Sequence, residues 1–180
     1  MDAKTCILTR RSHRKFTDQP VSHEVIEQIV SMAAYSPSWK NTQISRYIAI
    51  ESDQIKRDIV ERFCLPGSNN PAIITSCPVL IAQTFVTRRC GFERDGTYST
   101  DRGEGWQYYD CGIAAQTFCL AAHDLGLGTV IMGVFDRNGL ERYLQLPEGQ
   151  ELMALIALGY PADEPVAPKR KEVDVLLSYR

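Results

Sequence analysis

Gly126-Leu127-Gly128-Thr129-Val130-Ile131-Met132-Gly133 is the stretch on which the fold class turns. Closely spaced glycines let a backbone approach a ligand. In the doubly wound dinucleotide-binding fold, such a run follows a strand and opens a helix. Here the residues before it, Trp106 to Leu125, read as the most apolar helix of the chain, with Ile113, Phe118, Leu120, Ala121, Ala122 and Leu125. Gly126 then stops that helix. The glycine run therefore comes after a helix, and the dinucleotide fingerprint fails on context.

Working outward, Thr129–Val134 reads as a strand or turn, Asp136 as the cap of a short helix through Leu144, and Glu151–Tyr160 as a last core strand. Upstream, Val25, Ile26, Ile29, Val30 and Ala33 repeat with a helical period, so Ser22–Tyr35 is expected to be a helix capped by Ser22 and ended by Pro37. Arg46–Glu51 reads as a strand. Ser52 is expected to cap a helix whose face is Ile55, Ile59, Val60 and Phe63. Pro66–Asn70 reads as a loop, and the β-branched run Val79–Thr87 as a buried strand. Arg88–Gly105, rich in Gly, Arg and acidic residues, reads as an exposed excursion. Helices and strands are mixed without regular βαβ alternation, which favours α+β.

The 180 residues suit one domain spanning 1–180. A net charge of −2 argues against a dedicated nucleic-acid binder. No apolar run approaches the ~20 residues a bilayer needs, and Met1–Arg14 lacks the apolar core of a secretory signal. The six cysteines form no C-x-x-C pair, and no histidine stands at metal-ligand spacing beside them, so no metal site is expected. Nothing points to export, and free thiols in a reducing cytoplasm are the simpler reading.

Four segments could carry chemistry. Arg10-Arg11-Ser12-His13-Arg14-Lys15 offers guanidinium forks beside a hydroxyl, suited to phosphate or carboxylate; its bland reading is a solvated basic run. Ser36 to Gln43 offers hydroxyls and amides that could meet the edge of a planar heterocycle. The glycine run is the third. Lys169-Arg170-Lys171, with the first segment, could close a phosphate site from two chain ends. No Walker loop, nucleophile elbow or nominated triad occurs, so the chemistry is expected to belong to a bound cofactor.

Taken in order, Arg10-Arg11-Ser12-x-Arg14-Lys15-Phe16, Pro37-Ser38-x-x-Asn41-x-Gln43, Asp110-x-Gly112-x-Ala114-x-Gln116, Gly126-Leu127-Gly128 and the basic tail resemble the FMN-dependent nitroreductase family over nearly the whole chain. The resemblance implies an α+β fold with a central, mostly antiparallel sheet flanked by helices, and an intertwined homodimer with FMN at the subunit interface. It implies that Arg10, Arg11 and Ser12 hold the phosphate and ribityl side, that Arg14 reaches the pyrimidine edge, and that Lys169 and Lys171 close over the phosphate. Pro37, Ser38 and Asn41 would come from the partner subunit. Met132 and Gly133 would lie near flavin N5. The implied reaction is ping-pong transfer from NADH or NADPH to a nitro compound, a quinone or a related small acceptor, with no protein nucleophile. An FMN-dependent dehydrogenase or oxidase of a small metabolite, and a flavin-binding module without turnover, are the alternatives. Two features depart from the family pattern: Ile44-Ser45 stands where many members have Pro-Trp, and Met132 stands near a position many members make acidic. Phe92, Tyr98, Trp106 and Tyr109 are candidates for lining the acceptor channel. The aliphatic end of the tail, Val173, Val175, Leu176 and Leu177, needs a surface to bury against, which a partner subunit would supply.

Overall fold

A computed structural model describes all 180 residues. Its sheet has four strands, β1 (Ser45–Ile50), β2 (Val79–Val86), β3 (Gly128–Met132) and β4 (Gln150–Gly159), ordered β1-β2-β4-β3 with every pair antiparallel. The two central strands are the most apolar, as burial on both faces requires. Alternation along β2 sends Leu80 and Ala82 to one core and Val79 and Ile81 to the other.

Three helices cover the first face: α3 (Asp53–Phe63), α4 (Asn70–Ser76) and α6 (Arg137–Tyr143), with Ile59, Phe63, Ile74 and Leu140 meeting Leu80 and Leu155. Two cover the second: α2 (His23–Ala33) and α5 (Gly105–Asp124), with Ile29, Phe118 and Ala122 against Ile81 and Ile156. Each of the large buried side chains among these contributes about 1.5–3 kcal/mol of transfer free energy. The caps fall at the residues the sequence nominates. Ser22 accepts from the Val25 N–H, Ser52 from Ile55, and Asp136 from Gly139. Gly126, at φ +81°, ends α5: its N–H returns to His123 O, and the Leu127 N–H to Ala122 O.

The structure differs from expectation in four places. Helix α2 stops at Ala33, ahead of Pro37. Helix α1 (Ala3–Thr9) and helix α4 were not anticipated; α1 buries only Cys6, and α4 starts inside the expected loop at Pro66–Asn70. Neither carries a long apolar period. The 88–105 excursion is mostly exposed as expected but is anchored at its start: Cys90 and Phe92 are buried, Phe92 pairs with Tyr98, and the Trp106 indole donates to Thr100. After β4 the chain runs without regular structure to a one-turn helix, α7 (Val173–Leu176), whose aliphatic side chains are exposed. No helix is long and apolar enough to cross a membrane.

Candidate functional site

Residues 10–17 leave α1 and run along the open side of β3. Ser12 pairs with Thr129, and the His13 N–H donates to Thr129 O at 3.0 Å. The Thr17 N–H reaches Tyr160 O at 2.9 Å, and Phe16 bridges Pro161. One Arg11 Nη donates to Leu8 O and Arg10 O, closing off the last carbonyls of α1. This ordered backbone carries three arginines to one place, where the tail adds a fourth. A cavity of about 370 Å³ is lined by Arg10, Arg11, Ser12, Arg14 and Arg170, with Pro165, Val166 and Pro168 of the tail. No carboxylate lines it. None of the four guanidinium groups belongs to an ion pair. Arg10 Nε is buried with no hydrogen-bond partner.

A buried donor left unmade costs about 1–3 kcal/mol. Like charges held together add repulsion. One anion with several acceptor oxygens would relieve both penalties. A second cavity of about 180 Å³ shares Arg10 and Ser12 and extends along β3, past Gln116, Thr129 and Ile131.

The sequence-predicted residues divide between places. Arg10, Arg11, Ser12 and Arg14 meet in the corner. Of the basic tail, Arg170 lines it, while Lys169 and Lys171 do not. Met132 is buried in the core of the first face, so only its backbone is available to a ligand; Ile131, pointing the other way, lines the cavity and is 47% exposed. Gly133 is exposed, with open space where a side chain would be. Gln116, which the sequence offers only as part of the Asp110–Gln116 pattern, lines the second cavity.

Pro37 and Ser38 line a different cavity, about 370 Å³, between α2, β1 and α5. Asn41 follows in a tight turn, Trp39–Asn41. Lys40, Asn41 and Gln43 all have φ between +45° and +57°, a left-handed run that non-glycine residues adopt at a cost. Tethers hold it there. Asp110, 4% exposed, accepts the Trp39 N–H at 2.9 Å and the Cys90 S–H at 3.0 Å. Ser38 Oγ accepts the Gln43 N–H, Lys40 pairs with Glu93, and the Trp39 ring lies 4.9 Å from Trp106. On α5, Asp110 and Ala114 face this cavity, while Gln116 and Cys119 face the arginine side. At 3.6 residues per turn these are roughly opposite faces of one helix.

The cysteines supply no second centre. All six are free. Burial pushes the Cys77 thiol up to about 11 and Cys111 up to about 12, so both stay protonated at neutral pH.

The chain matches the model of the Nitroreductase family over residues 7–160. A Methanothermobacter thermautotrophicus protein, provisionally named NADH dehydrogenase/NAD(P)H nitroreductase, is 32% identical over 92% of this chain and 80% of its own. An FMN reductase [NAD(P)H] of Bacillus subtilis is 31% identical over 85% of this chain and 63% of its own. Among solved structures, a Desulfovibrio desulfuricans protein described as a nitroreductase in complex with FMN superposes with TM-score 0.78 at 28% identity, covering 100% of this chain and 98% of that one. The antiparallel α+β fold, the arginine corner beside β3 and these likenesses agree: the chain belongs to the nitroreductase family.

Proposed function

We propose that the chain is an FMN-dependent NAD(P)H oxidoreductase that reduces nitro compounds, quinones or a related small acceptor. The observation that carries the proposal is the cluster of four unpaired arginines with the orphaned Arg10 Nε. Its donors fit the FMN phosphate. Arg10, Arg11, Ser12 and Arg170 would hold that end. Arg14 would reach the pyrimidine edge, where its fixed charge favours an electron-rich ring. Ile131 and the backbone from Met132 to Gly133 would face the ring. When bound, FMN supplies alternating two-electron transfer between NADH or NADPH and the acceptor. The chain's own work is to bind the anion, orient the ring against β3 and keep water from its buried face.

The rest of the site belongs to a second copy in this reading. Pro37, Ser38 and Asn41 would reach the flavin of the partner subunit. Three features support a homodimer. β1 is an edge strand with an apolar cavity beside it. The outer face of α5 presents Tyr109 (63% exposed), Gly112, Ile113 and Gln116 without a charge. Val173, Val175 and Leu176 of the tail are exposed.

A spectrum of the purified protein with FMN, before and after anaerobic NADH and then NADPH, tests the proposal. Flavin bands at about 370 and 450 nm that bleach with either donor are expected. A flavin that never bleaches would reduce the protein to a binding module. A protein that takes up no FMN would contradict the proposal.

A further inference from the structure

One side-chain pair joins the two chain segments that build the arginine corner. His13 Nδ1 lies 2.8 Å from Asp163 Oδ1. A carboxylate only accepts, so Nδ1 is the donor. Asp163 Oδ2 accepts the Arg14 main-chain N–H at 3.1 Å. One residue earlier in the tail, the Ala162 N–H donates to Lys15 O at 2.9 Å. The tail is thus fastened to residues 13–15 just before it turns toward the cavity with Pro165, Val166, Pro168 and Arg170. The two prolines stiffen that short path, so the fastening point governs where Arg170 arrives.

His13 can occupy this place because residue 128 has no side chain. A Cβ on Gly128 would lie 2.7 Å from His13 Cβ and 2.8 Å from Cγ. The His13 side chain keeps 13% of its surface exposed and Asp163 25%, so both ends are largely shielded from water.

We propose that His13, Asp163 and Gly128 form a clasp that positions the anion end of the cofactor site, acting through Arg14 and Arg170. They are positioning residues and touch no reacting atom. The proposal rests on the flavin-binding reading above, and it separates one end of that site from the other. Loss of the clasp weakens recognition of the phosphate and leaves recognition of the ring intact.

FMN and riboflavin affinities of the full chain test this, measured by quenching of flavin fluorescence, with hydrogen exchange at the Arg14 and Ala162 amides as a second readout. His13→Ala and Asp163→Ala are expected to weaken FMN about tenfold, the loss of one charge-assisted hydrogen bond, and to leave riboflavin within about twofold. Both amides should exchange faster. His13→Asn, whose amide can donate from a similar position, should recover most of the FMN affinity. Unchanged FMN affinity in both alanine variants would overturn the proposal. So would an equal loss of FMN and riboflavin, which would mark general damage. A wild-type chain that binds neither flavin would overturn the functional reading and the cofactor half of the proposal; amide exchange unchanged by His13→Ala would overturn the clasp itself.

Discussion

The arginine corner and the 37–43 turn are both irregular backbone, yet they are built in opposite ways. In the corner the main chain is unstrained and tied to β3, and the side-chain charges are unbalanced: four arginines without an ion pair, one buried Nε without an acceptor. In the turn the main chain is strained at Lys40, Asn41 and Gln43, and its polar groups are tethered to Asp110, Ser38 and Glu93. The first region has donors that an anion could satisfy. The second is preformed by its tethers. Helix α5 separates them, with Asp110 and Cys119 on opposite faces. In the proposed function, one copy of the chain would offer the phosphate end of a flavin site and its turn would serve the other copy.

Breaking the corner should have the largest effect. Arg10→Ala removes the guanidinium with the buried, unpartnered Nε, and FMN affinity should fall about 100-fold, the equivalent of two charge-assisted bonds. Fluorescence titration reads this, and riboflavin should be much less affected. Breaking the turn should register as stability. Asp110→Ala strands the Trp39 N–H and the Cys90 S–H, at a cost of about 2 kcal/mol, which for a chain of this size lowers Tm by about 4–8 °C. Asp110→Asn keeps an acceptor for Trp39 and should lose less, as calorimetry would show.

Acid should sharpen the contrast. Burial pushes the Asp163 carboxyl up, but the His13 hydrogen bond and the Arg14 N–H outweigh it and hold the carboxyl below the ordinary range. A depressed carboxylate stabilises the folded state above its unfolded pKa, and that contribution is lost as pH falls through the folded value. FMN retention should therefore fall below about pH 4 in the wild type, and Asp163→Asn should be weaker at neutral pH with a flatter acid limb. The smallest effect is expected at Gln43→Gly. It relieves one left-handed residue while freeing the unfolded chain, and should change stability by no more than about 0.5 kcal/mol in either direction.

Much of the frame could be read from residues alone. The buried runs in β2 and β4, the period of α2 and the caps Ser22, Ser52 and Asp136 follow from local chemistry that tertiary contacts did not override. Helices α1 and α4 were hidden because each spans seven residues and is held by its neighbours. In the site, Arg10 to Arg14 showed as a run because four donors stand together in sequence. The choice of Arg170 over Lys169 and Lys171 depends on where the tail is fastened, which no local pattern encodes. The side-chain direction of Met132 follows from the register of β3 against β4. His13 and Asp163 meet across nearly the whole chain, and only the fold brings them together.

A subunit-mixing experiment tests the division of the site most directly. One chain carries Arg10→Ala, the other Asn41→Ala with Ser38→Ala; each alone should lose flavin-dependent NAD(P)H oxidation. Unfolded together and refolded in equal amounts, they should regain roughly one quarter of the wild-type sites, since half the dimers are mixed and each mixed dimer holds one intact site. No recovery, with both variants folded and dimeric, would contradict the account and place the corner and the turn in separate roles within one chain.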